Sequence, residues 1–130
     1  MRMMWFSIVL VLICGCPTPV EPVLSPAIVP LHDRGAYQPL VDGPPTSRGI
    51  EAGRVELAPG AAGTLHDTKS YEEAITIVSG KGELRIAGKP SLGFEAPCLV
   101  YVPPQTSHAV ANIGEVPLVY VFVAAPTHRP

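Results

Sequence analysis

From Arg48 to Pro126 the chain is cut into short apolar runs by glycine and proline, and this punctuation limits the fold more than any other feature. The runs read "GRVELAPG", "EAITIVSG", "ELRIAG", "CLVYVP", "SHAVANIG" and "LVYVFVAAP", with the shorter "TLHDT" and "SLGFEA" between them. None carries a helical period. They are rich in valine, isoleucine, threonine and aromatics, which suit a pleated, half-buried surface. About eight short strands with turn residues between them predict an all-β sandwich or small barrel. The chain has 130 residues, with 16 prolines and 12 glycines, which is room for one such domain. The glycines of Gly80-Lys81-Gly82 predict a hairpin between "EAITIVSG" and "ELRIAG".

The N-terminus has a different character. Arg2 precedes an apolar run from Met3 to Ile13. About 11 residues is too short to cross roughly 30 Å of hydrocarbon as a helix, and suits the apolar part of a signal peptide. The run ends in Ile13-Cys14-Gly15-Cys16, which resembles the lipobox of bacterial lipoproteins. Gly15 is the small residue before the modified cysteine, so the resemblance implies cleavage after residue 15 and lipidation of Cys16. An ordinary secretory signal and a short uncleaved anchor are the alternatives. On this reading the chain is exported and held at a membrane of the cell envelope by its acyl chains, with the domain in water. Residues 16–47 form a linker and arm: a proline-rich extended spacer to Pro30, then an irregular arm from Leu31 to Thr46 along the domain edge. The domain proper covers 48–126, and 127–130 are a tail. His32 and Asp33 read as a solvated loop pair. Cys98 reads as a small buried hydrophobe.

Charged residues make up 15% of the chain and the net charge is −2, with no basic stripe. Nucleic acid is therefore not an expected partner.

Strand parity sorts the polar residues by face. Glu73 shares a face with Ile75 and Ile77, whereas Glu72 falls with Ala74, Thr76 and Val78. A carboxylate among isoleucines is costly unless paired or bound to a cation. His108, Val110 and Asn112 share a face, as do Thr64, His66 and Thr68. His66, Glu73 and His108 are thus candidates to meet inside one barrel.

At this spacing the stretch from Gly60 to Asn112 resembles the cupin superfamily. Its first motif, G-x5-H-x-H-x(3,4)-E-x6-G, is matched by Gly60, His66, Glu73 and Gly80. Its second, G-x5-P-x-G-x2-H-x3-N, is matched by Pro103, His108 and Asn112. The resemblance implies a double-stranded β-helix, a jelly-roll barrel. Three positions depart: Thr68 replaces the second histidine of the first motif, and Pro97 and Gln105 replace the glycines of the second. The glycine changes bear on loop shape. The threonine bears on chemistry, since the family commonly uses three histidines and one glutamate around a divalent metal.

His66, Glu73 and His108 remain as the expected metal ligands. Two histidines and a carboxylate suit non-haem iron(II) with open positions, or a zinc with bound water; manganese and nickel also stay open. Thr68 is expected to hydrogen-bond a metal-bound water, and Asp67 to point the other way. A metal-free pocket in which these groups pair with each other is the alternative.

Tyr71 reads as a packing or surface residue within reach of the pocket mouth. Tyr101 and Tyr120 read as core or sheet-packing residues. Arg85 and His128 read as solvated. No phosphate-binding loop or nucleophile motif is present. The expected function is a lipid-anchored cupin that binds a divalent metal and a small polar molecule. A metal-dependent dioxygenase, isomerase or lyase is the alternative. Pairing of edge strands into a homodimer is what the family analogy adds.

Overall fold

The computed structural model describes residues 24–127. The leader, Cys16, the first part of the proline-rich spacer and His128 lie outside the described residues. Nine strands and no helix are found among the described residues: β1 (Tyr37–Asp42), β2 (Glu51–Leu57), β3 (His66–Asp67), β4 (Tyr71–Ser79), β5 (Lys81–Ile86), β6 (Leu92–Glu95), β7 (Cys98–Val102), β8 (Ser107–Asn112) and β9 (Leu118–Pro126). They build two sheets, ordered β1-β2-β9-β4-β7 and β3-β8-β5-β6, with every pairing antiparallel. The result is the all-β jelly-roll barrel expected from the sequence.

The two sheets face each other across one core. Ile75, Ile77, Val102, Leu118 and Tyr120 come from the five-stranded sheet, and Leu84 and Val110 from the four-stranded one. Each fully buried aliphatic side chain contributes roughly 1.5–3 kcal/mol. Parity reads correctly on β4, where Glu73, Ile75 and Ile77 are buried and Thr76 and Val78 are exposed. On β7 it places Leu99 and Tyr101 outside, so Tyr101 does not join the core. Its hydroxyl instead donates to Glu72 Oε2 on the outer face, at 2.9 Å. Tyr120 is buried, as expected, and Cys98 is half-buried against the core.

Two expectations change. β4 and β5 are not a hairpin, because β4 pairs with β7 and β9 while β5 pairs with β6 and β8. The chain instead passes from one sheet to the other at Gly80. Crossing lets the Ile75/Ile77 face look across the core at Leu84, which one flat hairpin would have placed in the same sheet. Gly80 has φ +93°, and a Cβ there would stand 2.7 Å from the Pro117 carbonyl oxygen, so both backbone and space require glycine. The arm is also not irregular throughout, since residues 37–42 add β1 to the sheet edge. Pro39 lacks an amide donor and is tolerated on an edge, where the register with β2 shifts between Pro39 and Val41. Buried Gln38 ties the preceding segment down. Its amide donates to the Pro30 carbonyl at 2.9 Å, and its oxygen accepts from the His32 amide at 3.2 Å. His32 and Asp33 are exposed, as expected of a loop pair.

Candidate metal centre

β3 and β8 pair so that His66 stands directly opposite His108. Both belong to the four-stranded sheet. Glu73 approaches from β4 in the five-stranded sheet, so the three side chains meet between the two layers. One ligand atom from each lies within 4.8 Å of the others. Glu73 Oε2 is 3.1 Å from His108 Nε2 and 3.7 Å from His66 Nε2. The two imidazoles are tilted by 57° with centroids 4.4 Å apart. His108 and Glu73 are buried, whereas His66 is 54% exposed and stands at the mouth.

The backbone settles the tautomers. His66 Nδ1–H donates to the Thr64 carbonyl at 3.0 Å, and His108 Nδ1–H to the Thr106 carbonyl at 3.2 Å. With the protons on Nδ1, each neutral ring turns the lone pair of Nε2 towards Glu73. Three acceptors therefore converge with no donor among them. His108 Nε2 is a buried atom without a hydrogen-bond partner: at 3.1 Å from Glu73 it is in charge contact, but not on a hydrogen-bonding line. Such a convergence is relieved by a proton or by a metal ion. Burial opposes a charge on His108, but Glu73, the Thr106 carbonyl and Asp67 together outweigh it, and its pKa is raised.

The spacing also fits a metal. Ligand atoms about 2.0–2.2 Å from one ion lie roughly 3.0–3.5 Å apart, close to the separations from Glu73 to the two histidines. A backbone carbonyl on Nδ1 is the support that metal-binding histidines usually have.

Neighbouring residues divide clearly. Asp67 points away, as expected. It accepts from the Lys69 amide at 2.7 Å and the Ser107 hydroxyl at 2.8 Å, and these bonds lower its pKa. Thr68 carries a structural role that its place in the motif does not show. Its hydroxyl donates to the Pro103 carbonyl at 2.9 Å and accepts from the Thr106 amide at 3.0 Å. The hydroxyl fastens the segment after His66 to the loop before His108. The same junction holds two non-glycine residues with positive φ, Lys69 at 51° and Gln105 at 56°. The Gln105 amide donates to the Lys69 carbonyl at 2.9 Å. Gln105 stands where the motif has glycine, so the motif glycine was the signal for a left-handed turn. Asn112 pins the turn that follows β8: its amide donates to the Leu57 and Val116 carbonyls, and its oxygen accepts from the Gly114 amide.

Two cavities adjoin the cluster. The outer one, about 280 Å³, includes Lys69, Tyr71 and Phe122 beside His66 and Glu73. The inner one, about 260 Å³, adds His108 and Tyr120 to a wall of Val55, Ile75, Val110 and Phe122. Its hydrophobic run marks Tyr120 as a core or sheet-packing residue, and the structure adds that it borders this cavity.

A jelly roll with a His–Glu–His cluster between its sheets defines a class of small barrel proteins. Residues 53–124 match the cupin domain family (Cupin_2), and the chain belongs to it. Solved structures with the same fold include a Cupin 2 conserved barrel domain protein from Salinispora arenicola (24% identity, TM-score 0.65, covering 79% of this chain and 91% of that one). A second is an RmlC-like cupin family protein from Methanocaldococcus jannaschii (16% identity, TM-score 0.64, 80% and 94%). A third is the cupin domain of Cnp3 from Schizosaccharomyces pombe (21% identity, TM-score 0.62, 70% of this chain), of whose length the present chain spans 64%. At these identities the likeness concerns the fold. No curated protein sequence matches the chain.

Proposed function

We propose that this cupin holds a divalent metal through His66, Glu73 and His108, and binds a small molecule at positions the protein leaves open. The observation that carries this reading is the convergence of three acceptors on one point, with both histidine Nδ1 protons engaged by backbone carbonyls. Glu73 would supply the anionic ligand and the two imidazoles the neutral ones. A bound ion would supply Lewis-acid or redox chemistry to whatever occupies the remaining positions. Three ligands rather than four, next to two cavities, is also what favours the second reading, a metal-dependent enzyme on a small substrate. We further propose that lipid on Cys16 holds the domain at the surface of an envelope membrane; the short apolar leader and Gly15-Cys16 support this.

Elemental analysis of the full-length chain, purified in detergent without metal affinity steps, tests the site. Near-stoichiometric iron, zinc, manganese or nickel, lost in His66→Ala and Glu73→Ala, is expected. No metal after reconstitution at neutral pH would leave a proton, not an ion, at the centre of the cluster. Turnover abolished by a chelator and restored by the metal would select the enzyme reading.

A further inference from the structure

The turn between β3 and β4 is closed by the Tyr71 amide, which donates to the Thr68 carbonyl at 2.9 Å. Lys69 is its second residue, with φ 51°. Tight turns with positive φ at that place favour glycine, asparagine or aspartate. The backbone holds the conformation from both sides. The Lys69 amide donates to Asp67 Oδ1 at 2.7 Å, and the Lys69 carbonyl accepts from the Gln105 amide at 2.9 Å. A lysine side chain adds nothing to this turn. What it does is bring a cation to the wall of the outer cavity, which it shares with His66, Tyr71 and Glu73. No other lysine and no arginine among the described residues lines either cavity. The ammonium makes no ion pair with a described residue, and it acts on Asp67 only from beyond ion-pair distance.

We infer that the outer cavity takes a small dicarboxylic acid, with one carboxylate on the ion held by His66, Glu73 and His108 and the other paired with Lys69. The inference rests on the metal reading proposed above, and it names the class of ligand and a residue that selects it. A divalent ion with Glu73 as its anionic ligand keeps a net positive charge, and Lys69 adds a second one; a dianion offsets both. The two further carboxylates on the cavity wall are engaged elsewhere. Asp67 accepts from the Lys69 amide and the Ser107 hydroxyl. Glu51 lies against the Gly43 turn, its Oε1 3.2 Å from where a Gly43 Cβ would stand. Phe122 and Ala124 of β9 give the cavity an apolar wall for a short carbon chain. Its volume, about 280 Å³, is below the roughly 300–1,000 Å³ of sites for drug-sized ligands, so the acid is small. Lys69 is exposed, so its end of the acid stays wet, and its share of the affinity is modest and salt-sensitive.

Isothermal titration of the zinc-loaded full-length chain in detergent, with succinate and with butyrate, tests it. Butyrate has the same carbon chain and one carboxylate fewer. The wild type should bind succinate more tightly than butyrate. Lys69→Met should weaken succinate about 3–5-fold at low salt and leave butyrate within about 1.5-fold. Lys69→Arg should restore most of the difference. At about 1 M salt, where the Debye length is roughly 3 Å, the loss in Lys69→Met should shrink towards nothing. Methionine keeps a β-carbon in the left-handed turn, so its melting temperature should match the wild type. A merely structural role for Lys69 would weaken both ligands alike. Equal succinate binding by wild type and Lys69→Met, an equal loss for butyrate, butyrate bound as tightly as succinate, or a loss that ignores salt would each overturn the inference. So would zinc stripped by succinate, because the acid would then compete for the ion rather than share it. Zinc content measured before and after titration separates the two proposals. Zinc retained without Lys69-dependent succinate binding removes this one alone. A chain that takes up no zinc and still binds succinate through Lys69 removes the metal reading and leaves the acid on its lysine; a chain that takes up neither removes both.

Discussion

Replacing Glu73 with glutamine should stabilise the metal-free protein at pH 8 while weakening its hold on metal. In the chelator-treated wild type at pH 8, the Glu73 carboxylate and the His108 Nε2 lone pair face each other at 3.1 Å, both buried. A buried polar atom left unsatisfied costs roughly 1–3 kcal/mol. The glutamine amide has donors to give to Nε2 and carries no charge to desolvate. A gain of about 1–2 kcal/mol follows, or roughly 5–10 °C in Tm for a domain of this size. The sign depends on pH. The folded pKa of His108 is raised above its ordinary value of 6.5, so the His108–Glu73 ion pair contributes fully below that value. The contribution is lost as pH climbs through the raised folded value. At pH 5 the wild type should therefore melt at or above Glu73→Gln, and the order should invert by pH 8. Adding zinc at about 100 times its Kd should raise the wild type by about 2.7 kcal/mol, and the variant by much less, since it lacks the anionic ligand. Thermal melts at both pH values, with chelator and with zinc, are the assay. A variant that melts below the wild type at pH 8 without metal, or a difference that ignores pH, would refute the three-acceptor account.

Three further outcomes are expected. Thr68→Val should cost about 1–3 kcal/mol in chemical denaturation by stranding the Thr106 amide, with metal content unchanged; loss of metal at full stability would return Thr68 to the site. Gln105→Gly relieves a left-handed residue worth roughly 1–2 kcal/mol and gives back about 0.5–1 in chain entropy, so a net gain near 0.5 kcal/mol should appear in the denaturation midpoint. Cys16→Ser should move the chain from the detergent phase to the aqueous phase on phase partitioning and remove the acyl mass; an unchanged distribution would exclude lipid at that residue.

Much of the barrel was legible because it rests on local patterns. Runs such as "EAITIVS" and "CLVYV" carry strand chemistry and parity together, which placed Glu73 beside Ile75 and Ile77 before any partner strand was known. The same parity placed Leu99 and Tyr101 together, but it could not say which face was the core. Its hydrophobic run makes Tyr101 a core or sheet-packing residue, and the structure puts it on the outer face, bonded to Glu72. The glycines at Gly80 mark a turn and predict a hairpin, but β4 and β5 do not pair. Glycine permits both, and only the sheet order shows that it carries the chain between layers.

The centre divides in the same way. His66, Glu73 and His108 could be named from motif spacing, because alternation along a strand is a property of neighbouring residues. Their meeting depends on strands that are distant in sequence: β3 paired to β8 in one sheet, and β4 brought opposite them in the other. Thr68 illustrates the limit. Its parity with His66 suggested a role at the metal, but its hydroxyl is bound to Pro103 and Thr106, partners more than thirty positions away. Tyr120 is the converse case. Its hydrophobic run marks it only as a packing residue, and the closing of the two sheets places it on the wall of a cavity beside the cluster. Periodicity reports which way a side chain points relative to its neighbours; what it points at is set by how the two sheets close.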